Sequence, residues 1–323
     1  MIPKSKMAGK LKIVVLAGGI SHERDISLKS GRRVADALIE KGARVVMREP
    51  DQDLLENLRK DKPDVIWPVL HGASGEDGAL RDILALTGIP FVGAKADSAK
   101  LAWDKSIAKI LVSRSGVQTP ASITLPRETF KELDAESVLK LVTKSLALPV
   151  VVKPARSGSA QGVTIVKKQD QLNQAMIDAY VYCDVAVIED FIEGTELAIG
   201  VIDLGAGPIA LPAVEIEPRS GHFGFEERYV AGETDYFVPA RLSKSVSAKA
   251  AKLAIDAHEA LGLRHISRID IIVDAKGVPW FLEANVLPGL TETSLLPQAI
   301  LAEGSTLGDV YYSLAQAALR GRG

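Results

Sequence analysis

Several features are missing from this chain, and each absence excludes a class of protein. Its 323 residues contain a single cysteine, Cys183, which excludes an internal disulfide and any zinc site built on cysteines. The longest apolar runs, such as Leu146–Val152, are far too short to span a membrane. The formal net charge is only −2, and no basic run interleaved with aromatic residues occurs. The sequence therefore predicts neither a membrane segment nor a nucleic-acid partner.

The composition is that of a globular protein with an ample core. Apolar residues make up 47% of the chain and charged residues 25%, which are values typical of soluble domains. The N-terminal segment Met1–Lys10 is basic and polar and lacks the apolar stretch of a secretory signal. A chain of this length is expected to form two or three domains, and a cytoplasmic location fits.

Strands and helices alternate along roughly the first hundred residues. The predicted strands are Lys12–Leu16, Arg44–Met47, Asp64–Leu70 and Pro90–Val92, and the predicted helices are Asp25–Lys41, with Gly42 as its stop, and Ala79–Leu86. This βαβα pattern predicts an open parallel sheet whose ligands bind at the carboxyl ends of the strands. Polar turns occupy two of those ends, at Gly18–Glu23 and at His71–Gly78.

Beyond Ala99 the pattern becomes α+β, and beyond Phe191 strands dominate. Predicted helices lie near residues 105–115, 135–146, 169–180, 247–261 and 307–320. Predicted strands lie at residues 149–153, 163–166, 186–190, 196–203 and 209–216. The last two strands before the final helix are predicted to form a hairpin, because Asp274–Gly277 is a turn signal between two apolar-rich runs.

The register of this hairpin decides which side chains meet. If Ala275 and Lys276 form the loop, Arg268 lies opposite Glu283 and Ile269 lies opposite Leu282. Because side chains alternate along a strand, one face is then polar and the other apolar. The polar face is predicted to carry Arg268, Asp270, Glu283 and Asn285, and the apolar face Ile269, Ile271, Val273, Trp280, Leu282 and Ala284.

Two carboxylates on one hairpin face repel each other unless a positive charge lies between them. Oxygen ligands of this kind suit magnesium bound to nucleotide phosphates, so the face is a candidate metal site. The adjoining turn Pro288–Ser294 is rich in backbone N–H groups and hydroxyls, which suits an anionic ligand. On this hairpin alone, an ordinary exposed polar face is the equal alternative.

Other motifs point to a nucleotide, each with a plain structural alternative. Lys153 ends a predicted strand and precedes the small-residue loop Ser157–Gly162, whose backbone can approach an anion closely. A ligand-free turn would look the same, and neither a P-loop nor a dinucleotide fingerprint is present. The segment Glu189–Glu196 could hold an adenine and a ribose, or form a charged surface turn. His71 could bind a ligand or make structural hydrogen bonds, and Tyr229 is an aromatic residue in a charged stretch.

Taken together, these motifs resemble those of D-alanine–D-alanine ligases, which belong to the ATP-grasp superfamily. The resemblance covers nearly the whole chain, from about Lys12 to Leu319. The matching motifs are Gly18-Gly19 with Ser21 and Glu23-Arg24, Ile26-Ser27-Leu28, His71-Gly72 with Gly75–Gly78, Lys153-Pro154, Gly158-Ser159, Arg228-Tyr229, Tyr236, Pro239-Ala240, Arg268 with Asp270, Glu283 with Asn285, and Pro288-Gly289 with Thr291 and Ser294-Leu295.

The resemblance implies an ATP-grasp fold of α/β and α+β parts with three domains. These are an N-terminal α/β substrate domain with an open parallel sheet (residues 1–98), a central ATP-grasp domain (99–191), and a C-terminal ATP-grasp domain that carries the metal site (192–323). It also implies a cytoplasmic homodimer that joins two D-alanines through a D-alanyl phosphate for peptidoglycan precursors. The implied cofactors are ATP and two magnesium or manganese ions.

The resemblance assigns roles to individual residues. Asp270, Glu283 and Asn285 would bind metal, and Lys105, Lys153, Glu189, Asp190, Ile192, Glu196 and Phe281 would bind ATP. Arg268 and Gly289 would stabilise an oxyanion, and His71, Ser294 and Leu295 would bind the substrates. Glu23 would hold the first amino group and would form a hydrogen-bonded latch with Ser159 and Tyr229.

Some positions depart from the family pattern. The usual Gly-Ser-Ser-Val-Gly loop is Gly158–Gly162 with Ala160 and Gln161 in the middle. Arg228 replaces the usual lysine, Asp190 stands where many members have lysine, and Val286 replaces a threonine. No metal carboxylate is lost, so the alternatives that stay open are an ATP-grasp ligase with another product, such as D-Ala-D-lactate, and a non-catalytic ATP-binding protein.

Overall fold

The described residues form three β-sheets and the helices that cover them. The structure is a computed structural model that describes residues 10–219 and 232–321. The strands are β1 Lys12–Ala17, β2 Arg44–Arg48, β3 Val65–Val69, β4 Ser122–Pro126, β5 Val150–Pro154, β6 Thr164–Val166, β7 Val185–Asp190, β8 Gly194–Asp203, β9 Pro208–Ala210, β10 Val214–Pro218, β11 Thr234–Phe237, β12 Ile266–Asp274 and β13 Pro279–Asn285. The helices are α1 Arg24–Glu40, α2 Leu54–Asp61, α3 Ala73–Glu76, α4 Ala79–Leu86, α5 Ala96–Trp103, α6 Lys105–Arg114, α7 Arg127–Glu132, α8 Ala135–Ser145, α9 Leu172–Tyr180, α10 Lys244–Ala260, α11 Leu295–Ala302 and α12 Leu307–Arg320.

The first sheet is the predicted open parallel sheet, with strand order β2-β1-β3. Helix α1 ends as expected before Gly42, which has a left-handed φ of +86°. Pro90–Val92 was expected to form a strand, but Phe91 makes only an isolated parallel bridge to Ile66. The polar turn predicted at His71–Gly78 contains the short helix α3, and helix α2 was not predicted.

The other two sheets are largely antiparallel, which confirms the predicted mixture of α/β and α+β structure. Strands β4-β7-β5-β6 form the second sheet. The third has the order β11-β10-β8-β12-β13, with β9 beside β8. The single strand expected over residues 209–216 is divided into β9 and β10. In the described part of the chain, no helix has the length and apolar character needed to cross a membrane.

The C-terminal helix α12 returns to the first sheet. Tyr311 on α12 is fully buried and packs edge-on against the ring of Trp67 on β3, with ring centroids 5.3 Å apart. The same apolar core contains Ile13 of the first sheet and Ile202 of the third. The first and third sheets are therefore joined by one continuous core, although they lie at opposite ends of the sequence.

The hairpin β12–β13 forms, but its predicted register is wrong. Its loop has three residues, 275–277, because the Asp274 N–H donates to the Val278 carbonyl. A second shift follows between Asp270 and Ile271, where Leu282 is the extra residue of a β-bulge. Arg268 consequently lies opposite Asn285 rather than Glu283, and Ile269 lies opposite Ala284 rather than Leu282.

The two shifts add up to two residues, so they preserve the predicted polar face but change part of the apolar one. A three-residue loop alone would turn Glu283 and Asn285 to the other side of the sheet. The bulge shifts the register again, so the predicted polar face is retained, with Asp270 directly opposite Glu283. Between loop and bulge the alternation is reversed, so Phe281 is buried on the apolar face. Trp280 and Leu282, predicted for that face, lie on the side of Ile272.

Two adjacent tyrosines of α12 give a matched test of this core. The Tyr311 hydroxyl is buried without a hydrogen-bond partner among the described residues, whereas Tyr312 hydrogen-bonds with the backbone of Leu11. We expect Tyr311→Phe to raise the free energy of unfolding by about 1 kcal/mol, because an unpaired buried hydroxyl destabilises the folded state. Tyr312→Phe should lower it by about 1 kcal/mol. Urea denaturation of both variants measures the difference, and the opposite order would contradict the prediction.

Candidate active site

Two adjoining cavities lie along the polar face of the hairpin. The larger has a volume of about 1180 Å³ and the smaller about 490 Å³. Lys105, Ser157 and Glu283 line both, so the cavities meet at these residues. The larger cavity extends between the first and third sheets, and the smaller between the second and third.

Most of the predicted site residues line these cavities. Around the larger one lie Glu23, His71, Lys105, Ser159, Arg268, Glu283, Asn285, Gly289, Ser294 and Leu295. Around the smaller one lie Lys105, Lys153, Glu189, Asp190, Ile192, Glu196, Asp270 and Glu283. Phe281 is not brought to either cavity, because the three-residue loop turns it to the buried face of the sheet, and Leu282 lines the smaller cavity instead. Tyr229 lies outside the described residues, as does Arg228.

The two carboxylates on the polar face of the hairpin, Asp270 and Glu283, are each paired with a cation of the protein. Arg268 donates two hydrogen bonds to Asp270, from Nε to Oδ1 at 2.7 Å and from Nη2 to Oδ2 at 2.8 Å. Burial alone would lower the pKa of Arg268, but the Asp270 carboxylate raises it above its ordinary value. Lys105 Nζ lies 3.3 Å from Glu283 Oε2. The protein thus supplies the positive charge between the carboxylates that the sequence argument attributed to a metal.

The donor set still fits a hard divalent cation. Asp270, Glu283 and Asn285 present carboxylate and amide oxygens on one face, the ligand type that magnesium prefers. Asn285 Oδ1 also accepts the N–H of Leu287 at 2.8 Å, which orients its amide. Among the described residues no group of three or more His, Cys, Asp or Glu residues could hold a metal. A metal at this site would therefore be held by two carboxylates, the Asn285 amide and oxygen atoms of a bound substrate.

Helix α6 carries Lys105 to the boundary between the cavities. The side chain of Asp104 caps this helix by accepting the N–H groups of Ser106 and Ile107. The helix therefore begins at Lys105, whose Nζ donates to the carbonyl of Ser157 at 2.7 Å. Lys105 thus holds the predicted phosphate loop next to Glu283.

A buried ion cluster lies at the wall of the smaller cavity. Lys153 Nζ lies 2.5 Å from Glu189 Oε1, and Lys109 Nζ lies 2.5 Å from Glu189 Oε2. Burial alone would raise the pKa of Glu189, but the two lysines hold it below its ordinary value. The sequence reasoning missed Lys109. Its position four residues after Lys105 on one helix was the signal, because residues so spaced share a helix face.

The loop Ser157–Gly162, the predicted phosphate loop, is docked on the loop that follows β1. Ser159 Oγ donates to Glu23 Oε1 at 2.6 Å, as the resemblance implied for two members of the latch. Gln161 Nε2 lies 3.2 Å from His22 Nε2, a contact that the sequence did not suggest. Ser159 and Ala160 both have a φ of +55°, a left-handed conformation that costs about 1–2 kcal/mol per residue other than glycine. The loop is therefore held in a strained shape by its contacts with the first sheet's loops.

His71 ties together two loops at the back of the larger cavity. Its Nε2 lies 3.1 Å from Ser30 Oγ, and the ring also hydrogen-bonds with the backbone of Leu287. Ser30 Oγ accepts the N–H of Leu290 at 3.3 Å, so this serine, missed from the sequence, joins the same network. Burial lowers the pKa of His71, which favours a neutral ring. His71 lines the cavity, but its ring nitrogens are engaged by the protein.

Glu76 is a second titratable residue in this wall, and the sequence assigned it no role. It is 8% exposed, and its Oε1 accepts the N–H of Gly72 at 2.9 Å. Burial raises the pKa of Glu76 to about 8.

The turn after the hairpin brings Gly289 and Ser294 into close contact. A Cβ atom at Gly289 would lie 2.7 Å from Ser294 Oγ, so any other residue here would displace that hydroxyl. Ser294 Oγ in turn accepts the N–H of Thr291 at 3.0 Å. Ser294 precedes the first residue of α11, Leu295, so both lie at a helix N-terminus that faces the larger cavity.

Comparison with known proteins gives one consistent family. The model of the D-ala D-ala ligase C-terminus matches residues 111–316. The D-alanine–D-alanine ligase of Bordetella petrii is 37% identical over 316 residues, which cover 98% of this chain and 94% of that protein. The ligase of the same name from Pelotomaculum thermopropionicum is 34% identical over 313 residues, covering 97% and 98%.

Solved structures agree with these relatives. The VanG D-Ala:D-Ser ligase from Enterococcus faecalis superposes with a TM-score of 0.82 at 28% identity, covering 96% of this chain and all of that one. The D-alanine–D-alanine ligase from Bacillus anthracis complexed with ATP superposes with a TM-score of 0.80 at 27% identity, covering 97% and 98%.

The raised pKa of Glu76 predicts a pH-dependent stability. Between its ordinary pKa near 4.5 and its folded value of about 8, the folded state holds one proton more than the unfolded state. The stability gained from burying Glu76 in its protonated form is complete below pH 4.5 and is lost as the pH rises towards 8. Glu76→Gln keeps an oxygen for the Gly72 N–H and cannot ionise. Its stability relative to the parent should therefore increase with pH, by up to about 1.4 kcal/mol per unit.

Urea denaturation at several pH values between 5 and 8.5 measures this difference. Glu136→Gln, which removes an exposed carboxylate on α8, is the control and should show no such rise. A difference between Glu76→Gln and the parent that stays constant over this range would show that Glu76 is ionised in the folded protein.

Proposed function

The chain belongs to the D-alanine–D-alanine ligase family, and from that premise we propose that it joins two D-alanine molecules into D-alanyl-D-alanine while converting ATP to ADP and phosphate. The fold is the ATP-grasp fold expected from the sequence. The observation that carries the proposal is the convergence of separate motifs on two cavities that meet at Lys105 and Glu283.

The two cavities suit different substrates. The smaller one has an apolar side, with Ile192 and Leu282, and the cation Lys153, which suits a nucleotide. The larger one has Glu23 for an ammonium group and the helix N-terminus at Ser294 for a carboxylate. Amino acids therefore occupy the larger cavity, and the terminal phosphate of ATP lies at the boundary.

The first step forms an acylphosphate at this boundary. A carboxylate oxygen of the first D-alanine attacks the γ-phosphorus of ATP, and the bond to the β-phosphate oxygen breaks to release ADP. Phosphoryl transfer needs mainly positioning and charge neutralisation, which Lys105 and Lys153 provide. Asp270, Glu283 and Asn285 would hold magnesium or manganese ions, two by family resemblance, which neutralise phosphate charge when bound.

The second step forms the peptide bond. The amine of the second D-alanine attacks the acylphosphate carbon and loses a proton, and the tetrahedral species then collapses by breaking the C–O bond to phosphate. Arg268, held rigidly by Asp270, and the N–H of Gly289 would stabilise the oxyanion. The Ser159–Glu23 bond would help to close the site against water, which would otherwise hydrolyse the acylphosphate.

The wider assignments follow the family. We retain the division into residues 1–98, 99–191 and 192–323, the role of Tyr229 as third member of the latch, a cytoplasmic homodimer and a place in peptidoglycan precursor synthesis. A non-catalytic ATP-binding protein is disfavoured because every predicted metal ligand is present on one hairpin face.

A second candidate is a ligase of this family with another second substrate. Ala160 and Gln161 depart from the usual loop sequence, and one of the similar solved structures is a D-Ala:D-Ser ligase. The candidate changes the product and leaves the acylphosphate step as described.

The purified protein with ATP, Mg²⁺ and a mixture of D-alanine, D-serine and D-lactate tests the proposal. We expect D-alanyl-D-alanine as the main product near neutral pH, with phosphate released in equal amount, measured by mass spectrometry and a phosphate assay. Arg268→Met should lower kcat by roughly 100- to 1000-fold, because it removes an oxyanion donor. Arg127→Met, which breaks an exposed pair with Asp184, is the control and should be unaffected.

A mixed product would favour the second candidate. Phosphate release without any condensed product would overturn the ligase assignment itself.

The contact between Gln161 and His22 predicts a measurable coupling. An exposed hydrogen bond of this kind contributes about 0.5–1.5 kcal/mol. Gln161→Val and His22→Ala should each lower kcat/KM for ATP about two- to tenfold, because each loosens the phosphate loop. The kcat/KM for ATP of the double variant should be no lower than that of the more impaired single variant. Strictly additive losses in this double-mutant cycle would show that the two side chains act independently.

A further inference from the structure

Lys109 is the buried cation of this site that the proposed chemistry does not use. It is 3% exposed, and it is not among the described residues that line either cavity. Its ammonium group contacts Glu189 Oε2, on the side of that carboxylate away from Lys153. A buried lysine destabilises the folded state unless it is paired, and even a buried ion pair often adds little stability. The pair of Lys109 with Glu189 therefore calls for a structural or functional reason.

The geometry of the cluster determines what Lys153 can offer a ligand. Glu189 has two oxygens, and each accepts from a different lysine. Because Lys109 occupies Oε2, Lys153 is bonded to Oε1 alone, and two of its three N–H donors are not used by other described residues. Lys153 lines the smaller cavity, so these donors are available there.

The charge of the cluster depends on Lys109 as well. Asp190 lies near enough to Lys109 to interact with it electrostatically. Without Lys109, the two carboxylates of Glu189 and Asp190 would outnumber the single cation Lys153, and a net negative charge repels phosphate. With Lys109 the two lysines balance the two carboxylates in a buried setting, where charge interactions are poorly screened. The cluster therefore combines a fixed direction for Lys153 with a balanced charge.

We propose that Lys109 is a positioning residue for nucleotide binding, which acts through Glu189 to keep Lys153 directed towards the phosphates. The inference rests on the proposed use of ATP and not on the identity of the amino-acid substrates. Lys109 itself does not touch the nucleotide.

Binding of MgADP to the full-length protein, measured by calorimetry, tests the inference without any amino-acid substrate. Lys109→Met should raise the Kd for ADP at least tenfold. In the Glu189→Gln background the same substitution should change it less than twofold, because the carboxylate through which Lys109 acts is then neutral. Lys140→Met, which removes an exposed lysine on α8, is the matched control and should leave the Kd unchanged.

Steady-state kinetics give an independent reading. For Lys109→Met we expect KM for ATP to rise at least tenfold, with KM for D-alanine within twofold of the parent. A purely structural role would lower Tm and leave the Kd for ADP of the folded protein unchanged, and that result would overturn the inference. Equal effects of Lys109→Met in both backgrounds would also overturn it.

If Lys109→Met does not fold, the double variant and Lys109→Arg carry the test. Lys109→Arg keeps the charge, so its Kd should stay within about threefold of the parent, and a loss as large as tenfold would contradict the charge argument. A parent protein that binds ADP but makes no dipeptide would overturn the proposed function and leave the inference about Lys109 intact.

Discussion

The contact between Lys105 and Glu283 is the interaction on which the geometry of the site depends. Lys105 comes from the start of α6, and Glu283 from the edge hairpin of the third sheet. The same lysine binds the carbonyl of Ser157 in the loop after β5, so one ammonium group joins three separate parts of the chain. Both cavities end at this point, and a group transferred between their ligands must pass next to it. The cap provided by Asp104 matters for the same reason, because it determines where α6 begins.

The sequence predicted well what depends on local patterns. The parallel sheet of the first part, the hairpin and the convergence of its carboxylates follow from apolar periodicity, turn residues and motif order. Helix bounds were most accurate where a glycine or a capping residue marks the end, as at Gly42. These are signals that a short window of sequence contains.

What the sequence did not predict depends on contacts between distant segments. The bulge at Leu282 leaves no mark in the residue types, since leucine and phenylalanine are both apolar, so the roles of Phe281 and Leu282 were exchanged. The contacts of Lys109 with Glu189, of Ser30 with Leu290 and of Gln161 with His22 each join segments that are far apart in the sequence. The helical spacing of Lys109 from Lys105 indicated a shared face but not the partner. The cation partners of the carboxylates were missed in part because Asp270 is paired with Arg268, a residue that had been assigned only to an oxyanion.

The hairpin register has a consequence for how this segment can change in length. Between Asp270 and Glu283 the loop and the bulge each displace the strands by one residue, and the site survives because the two displacements sum to an even number. Deleting or inserting one residue in this interval would make the sum odd and turn Glu283 away from Lys105. Changes by two residues would preserve the face. Insertions and deletions in this stretch should therefore be tolerated when they add or remove an even number of residues.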